Sequence, residues 1–312
     1  MRRFLFLVPL LFGITFLSFF LIHLAGSDAV LQQMEVSGVV LSDAVIEAER
    51  DALGLNRPIL EQYIDWLNNC IHGDFGVSYI SGEDVLQTFL SKLPATILLA
   101  LVSLCLTIVF AVPLGIYAAI KQNTWIDTIL KIGSFVGNSL PNFFVALLLL
   151  YIFSIRLPIF PVISQGEGIT GLILPAITLT VAMTAKYMRQ VRAAVLEELQ
   201  KEYVVGTLAR GIPFSTIILK NVLRSCLGTL LTMFAMSAGS LLGGTAVVES
   251  IFMWDGVGKL AVDAIQMRDY PMLQAYVLWM ALLYVLLNLA ADCCCTLLDP
   301  RIRLGEDKNA KY

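Results

Sequence analysis

The sequence predicts an all-α integral membrane protein with six transmembrane helices and both termini in the cytoplasm. Three observations carry that expectation. The 312 residues are 58% hydrophobic and only 14% charged, whereas soluble chains run to about half apolar and about a quarter charged. A soluble chain of this length has too much surface to cover with so few charges. Six nearly uncharged runs then approach the roughly 20 residues a helix needs to cross a hydrocarbon core. Finally, fifteen of the twenty-one Lys and Arg residues fall on one side if the N-terminus is cytoplasmic, which fixes orientation by the positive-inside rule. The net charge of −3 excludes a nucleic-acid binder driven by phosphate neutralisation, since that needs a basic face.

The first span is Phe4 to Leu24, preceded by Arg2 and Arg3. Its apolar stretch is longer than a secretory leader requires and no small-x-small cleavage site follows, so residues 1–24 read as an uncleaved helix. Residues 25–92 read as an external lid. From Ala25 to Leu93 there are eleven acids and three bases, a net of −8. Ser42 or Asp43 caps one short helix that Gly54 ends. Pro58 opens another, on which Ile59, Tyr63 and Trp66 share a face. The remainder, residues 93–312, reads as a five-helix core. Its first helix is Leu93 to Ile120. Ile132 to Ile155 follows, with Asn138, Ser139 and Asn142 flanking Pro141, whose missing amide frees a carbonyl and kinks the span. These four residues are candidates for the translocation path, because polar groups in lipid are costly and usually face an interior or a water path.

Gly168 to Ala185 is short and gains a turn past Lys186, whose side chain snorkels. Residues 186–224 carry seven bases against three acids, a net of +4. Their pattern is helical up to Arg210, stops at Gly211 and restarts at Ile212-Pro213. A helix, turn and helix is more than a connecting loop needs and reads as a surface made for a partner. In Ser225 to Val248, Ser237 and Ser240 are further path candidates. The glycines Gly239, Gly243 and Gly244 beside them favour close helix packing over substrate contact. Glu249 and Asp292, at the ends of their spans, read as interface carboxylates. Tyr270 to Ala291 is the last span. Cys293, Cys294 and Cys295 point in different directions on a helix and read as free thiols.

No catalytic constellation is present. His23 and His72 are the chain's two histidines, so no HExxH zinc site exists, and neither a metal nor a cofactor is expected. Gly256-Val257-Gly258-Lys259-Leu260 imitates a nucleotide loop, but Met253 stands where the first glycine belongs and Leu260 where the hydroxyl belongs.

Taken in order, several strings resemble the inner-membrane permeases of ATP-binding-cassette importers, in the dipeptide, oligopeptide and nickel subfamily. They are Leu53-Gly54-Leu55-Asn56-Arg57-Pro58, Gly73-Asp74-Phe75-Gly76-Val77-Ser78-Tyr79, Leu93-Pro94-Ala95-Thr96, Ser139-Leu140-Pro141-Asn142-Phe143, Gly243-Gly244, Trp254 with Gly256-Val257-Gly258, Arg268-Asp269-Tyr270-Pro271 and Leu298-Asp299-Pro300-Arg301-Ile302-Arg303. The usual Gly-Asp-Pro after the first helix reads Gly26-Ser27-Asp28. The alanine-rich core of the importer loop reads Val205-Gly206-Thr207.

The resemblance implies the type I importer fold. Its expected partners are a second, homologous permease, ATPase subunits, an external substrate-binding protein and membrane lipid. It maps coupling to the ATPase onto Glu202, Tyr203, Ala209 and Gly211, and an outer gate or interface onto Glu249, Trp254 and Asp269. ATP hydrolysis belongs to a partner chain, so the protein is not itself an enzyme. Nickel, free or chelated, and short peptides are the implied substrates, with the short length leaning toward nickel. The rival reading is a self-contained channel or secondary carrier, which would want midplane carboxylates or inverted repeats with broken helices.

Overall fold

The computed structural model of the chain describes residues 2–24, 30, 34, 38, 42–52, 54–166 and 168–298; the side chains of residues 2–8, 49, 52, 238, 240, 242, 292 and 294–298 lie outside that description. Gly26-Ser27-Asp28 and Asp299 to Arg303 therefore fall outside the described residues, as do the side chains of Asp292, Cys294 and Cys295. Every regular element among the described residues is helical. The helices gather into two compact units, residues 1–96 with 255–285 and residues 97–254 with 286–312.

The first unit holds α1 (Arg2–Leu24), α2 (Asp43–Ala52), α3 (Ile59–Ile71), the start of α4 (Val85–Ile120), α12 (Val257–Gln266) and the start of α13 (Tyr270–Leu298). The face expected on α3 is the one it buries. Tyr63 is 1% exposed, and its ring meets those of Phe12, Phe16 and Phe19 edge-on, with centroids 5.3 to 5.5 Å apart. Its hydroxyl lies 2.9 Å from Thr15 Oγ1. Such aromatic pairs add about 0.5–1.5 kcal/mol each beyond area burial, so α3 is pinned to α1. A second cluster places Phe75, Val85, Met272 and Ala275 around Trp279. Gly54 has φ +68° after α2, the left-handed turn its sequence position predicts.

The helix expected from Leu93 begins eight residues earlier, at Val85. The reason is a cap: Asp84 Oδ1 accepts the Gln87 N–H at 2.7 Å, satisfying one of the free amides at the helix start. Pro94 costs one hydrogen bond inside the helix, but fully buried Phe89 and Leu99 on either side hold it. At 36 residues α4 is about 54 Å long, well beyond a bilayer core.

The second unit holds the rest of α4, then α5 (Trp125–Ser139) and α6 (Asn142–Leu150), which widens into a π-helical turn at Tyr151–Arg156. Next come α7 (Gly168–Leu199), α8 (Glu202–Ala209) and α9 (Phe214–Thr216). A second π-helical segment, Ile217–Val222, leads into α10 (Leu223–Gly244), followed by α11 (Ala246–Phe252). The third expected span is broken rather than kinked: Trp125–Ser139 and Asn142–Arg156 meet at 97°. Leu140, before Pro141, is forced extended with ψ 127°, because the proline ring excludes the helical conformation from its predecessor. The fifth expected span starts earlier, with its apolar stretch opening at Phe214, and its helix stops at Gly244 before Glu249.

Among the described residues four helices are long and apolar enough to cross a membrane, and the bent pair makes five if it counts as one span; the part of α1 whose side chains are described, Pro9–Leu24, is apolar as well. Large apolar side chains such as Phe110, Phe135, Phe144 and Leu147 are about half exposed, a surface that water would not tolerate over many helices. Interior contacts rely on close approach. A Cβ on Gly115 would lie 2.8 Å from the Met188 carbonyl and 2.7 Å from Val191 Cβ, so α4 and α7 touch backbone to side chain. That is the means of association open to helices in lipid, where burial alone drives little.

Candidate functional site

The residues expected to couple to an ATPase sit on and after α8. The pattern suggested one helix up to Arg210, but α7 ends at Leu199 and α8 spans Glu202–Ala209. A polar knot makes that corner. Glu198 is 8% exposed; it takes Lys201 Nζ at 2.5 Å and the Tyr203 hydroxyl at 2.9 Å. Glu198 raises the Lys201 ammonium above its ordinary value, while burial first and the bond to Glu198 second raise the Tyr203 phenol. Both groups therefore keep their protons through neutral and mildly alkaline pH, and the knot loosens as pH rises past those raised values or falls far enough to protonate Glu198, whose carboxyl, against burial, its partners hold below the ordinary value.

On α8 only Val204 faces inward, at 2% exposed, in the cluster with Val195, Ile217 and Val222. Glu202, Tyr203, Val205, Leu208 and Ala209 are exposed, giving a short helix held by one buried apolar residue and by the Tyr203 hydroxyl on Glu198, with a half-apolar open face. Gly211 closes it with φ +77°, its N–H donating to the Leu208 carbonyl at 2.9 Å. Beside α8 lies a groove of about 300 Å³ bordered by Ile120, Leu196, Leu199, Val204, Leu208 and Phe214.

One group that sequence reasoning missed ties this corner to the broken span. Asp127, in the first turn of α5, is fully buried. It receives Arg192 of α7 in a two-pronged bond, Nε to Oδ1 at 2.7 Å and Nη2 to Oδ2 at 2.8 Å. Lys131 adds a contact at 3.2 Å, and the Asn123 N–H donates at 3.2 Å, bracing the α4–α5 turn where Asn123 has φ 62°. Ser134 donates to the Ala185 carbonyl. A Cβ on Gly137 would lie 3.0 Å from Ala185 Cβ. The signal available was Asp127 itself, an acid at the start of a span otherwise flanked by bases.

The path candidates separate. Asn138, Ser139 and Pro141 are exposed at the break between α5 and α6, Ser139 Oγ donating back to the Phe135 carbonyl at 2.8 Å. Asn142 lines a small cavity of about 110 Å³ with Met183, Lys186, Tyr187, Leu241 and Gly244. Ser237 is 2% exposed and its hydroxyl turns back onto its own helix, to the Met233 and Phe234 carbonyls. Its place is in packing rather than on an open surface. Ser240 lies on α10, its side chain outside the described residues.

The gate candidates also separate. Glu249 was expected as an interface carboxylate; instead it is fully buried, because the stop at Gly244 starts a new helix, α11, that packs against α6 and α7. Its carbonyl accepts the Trp254 N–H at 2.8 Å, past a left-handed Met253 with φ 54°. Trp254 is 8% exposed. Asp269 belongs to the other unit. There it accepts Ser78 Oγ at 2.5 Å and the Tyr79 N–H at 3.2 Å, tying the 74–84 loop to the start of α13. Burial, then Asp269, pushes the Tyr79 phenol up. The imitation nucleotide loop is structural: Gly256 precedes α12, and the Val257 N–H donates to buried Thr96 at 2.9 Å.

Comparison with known proteins places these features. The family model "Binding-protein-dependent transport system inner membrane component" matches residues 111–304, and the model for the N-terminal part of such membrane components matches residues 1–100. The glutathione transport system permease protein GsiC of Escherichia coli (strain K12) is 33% identical over 302 residues, 97% of each chain. The oligopeptide transport system permease protein AppB of Bacillus subtilis (strain 168) is 36% identical over 311 residues, 96% of this chain and 98% of that one. A chain of the inward-facing MetNI methionine ABC transporter superposes with a TM-score of 0.58 at 16% identity, covering 69% of this chain and 97% of its own, a likeness of fold. Relatives that match nearly end to end are membrane subunits of importers and not enzymes. The chain therefore belongs to the binding-protein-dependent transport system inner membrane components, the permease subunits of ATP-binding-cassette importers, in their peptide and nickel subfamily.

Proposed function

We propose that this chain forms half of a translocation path for short peptides, glutathione-like molecules among them. It pairs with a second permease and takes its driving force from separate ATPase subunits through α8 and Gly211. The observation that carries the coupling assignment is the largely exposed α8, with one buried apolar residue, beside its groove. As a rigid short helix it is suited to lie in a partner's surface and to be displaced whole. The names of the relatives, glutathione and oligopeptide permeases, favour peptides over the nickel toward which chain length leaned. In this reading α1 is the first of six spans, the α5–α6 pair counts as one, both termini are cytoplasmic, and residues 25–92 form an outer lid against which a substrate-binding protein delivers its load. The exposed Asn138 and Ser139 and the cavity beside Asn142 lie on the path.

The test is competitive uptake of a labelled dipeptide, glutathione and nickel by cells with and without this chain. Peptide uptake should depend on it. Nickel uptake alone depending on it would sink the peptide reading. The purified chain should hydrolyse no ATP until a cassette subunit is added; substrate flux in vesicles holding this chain alone would instead establish a self-contained carrier.

A further inference from the structure

The helix α3 is apolar on two rows, and α1 takes up only one of them. Tyr63 and Trp66 belong to the row that meets the rings of Phe12, Phe16 and Phe19. Leu60, Ile64 and Ile71, with half-buried Leu67 among them, make a second row at the i, i+4, i+7, i+11 spacing of one helix face. Those three are 57, 61 and 76% exposed. Glu61, Asp65 and Asn68 make a third row, exposed and polar. At 3.6 residues per turn the two apolar rows adjoin, and the polar row takes the remaining side. Nothing charged lies on the second row.

Depth decides what covers that second row. The Tyr63 hydroxyl meets Thr15 Oγ1 at 2.9 Å, and Gln62 Oε1 lies 3.1 Å from His23 Nε2. These contacts and the ring contacts come from residues 62–66, a single turn, as where two helices cross. Thr15 stands nine residues before Leu24, about 14 Å along the helix at 1.5 Å per residue, near the middle of a hydrocarbon core about 30 Å thick. A tyrosine side chain is too short to reach that level from water, so α3 crosses α1 at or beneath its outer end rather than above the membrane. That level is the boundary of headgroups and acyl chains, which accepts helices with one polar and one apolar side and is enriched in tryptophan. On α1 itself Leu17, Leu21 and Leu24 leave a row of the same kind uncovered, 57, 54 and 67% exposed. We propose that α3 is an interfacial helix whose partner is the phospholipid surface, with Leu60, Ile64 and Ile71 among the acyl chains of the adjoining leaflet and Glu61, Asp65 and Asn68 in water. The polar row carries acids rather than bases, so apolar burial and not headgroup charge holds the helix down. This rests on α1 as a span and holds for either orientation of the chain.

The test is photocrosslinking of the full chain in intact cells. The photoreactive residue p-benzoylphenylalanine replaces Ile64, Ile71, Asp65 or Asn68 one at a time, and Leu21 of α1 as a lipid-facing reference. The irradiated chain is purified and its adducts are identified by mass spectrometry. Positions 64 and 71 should carry phospholipid adducts at a yield like that of position 21, at least about tenfold above positions 65 and 68. A smaller substitution guards against a misfolded variant: in opened membranes, Ile64→Cys should react with a water-soluble maleimide at least about tenfold more slowly than Asp65→Cys. Lipid adducts at position 21 without any at 64 and 71, equal yields at all four positions of α3, or equal maleimide rates overturn the proposal and leave α1 as a span. Protein adducts at 64 and 71 in place of lipid also overturn it and give the row to a docking partner. No lipid adduct even at position 21 removes α1 from the membrane and the proposal with it. None of these outcomes depends on which solute is carried, so the uptake test and this one fail separately.

Discussion

Gly211 shows how one backbone angle sets a boundary. An added Cβ would meet no atom within 4 Å, yet φ is +77°. A side chain there is opposed by conformation alone, about 1–2 kcal/mol for an ordinary residue and more for a β-branched one. Gly211→Val should therefore leave the chain folded but shift the α8–α9 corner, and ATPase activity of the assembled importer should no longer rise with transport. Gly206→Ala, with open space and an ordinary φ, is the control and should couple normally; unchanged transport in Gly211→Val would remove the coupling assignment. Cys70 offers a second residue-level test. Burial, with Asp74 adding to it, pushes its thiol up to about 12, and the thiolate is the reactive form. At pH 8 maleimide labelling of Cys70 should be at least about tenfold slower than that of a cysteine introduced at exposed Ser81.

Among the helices, α7 is the hub of its unit, with α5, α6, α10 and α11 all packed on it. Gly115 brings α4 against it, Asp127 and Arg192 clamp α5 to it, and Glu198 sets the corner into α8. Removing one partner of a buried ion pair leaves the other unpaired, a loss of about 3–5 kcal/mol, somewhat less where one partner keeps solvent. Arg192 is 18% exposed. Asp127→Asn should lower the midpoint of thermal unfolding in detergent, and Asp127→Arg with Arg192→Asp should recover part of the loss; no change in the single variant would mean that the clamp is idle. Gly115→Val should cost about 1–3 kcal/mol by overpacking, read in the same melt.

For the whole molecule, the proposed orientation makes a direct prediction. In intact cells, an impermeant thiol reagent should reach a cysteine placed at Asp65 or Ser81, and should reach one at Lys201 or Arg210 only after the membrane is opened. The reverse pattern would invert the topology and move α8 away from any ATPase. The polarity behind this expectation, −8 over the lid segment and +4 around α8, is hidden in a net charge of −3.

The order of residues along the chain suffices for the all-helical membrane class, the helices around Tyr63 and the Gly211 stop, because those follow from local rules: apolar run length, capping chemistry and the residue preferences of tight turns. It also carries the family, since the order of many short strings survives where each alone is weak. Packing in three dimensions was needed to establish that the third span breaks by 97°, that Glu249 turns inward, and that Asp127, 65 residues from Arg192 in sequence, grips it. Each of those depends on what another helix presents across a gap of a few ångströms. A linear reading registers a charge and its neighbours along the chain, but the side a carboxylate faces is fixed by where its helix stops and which partner offers the guanidinium.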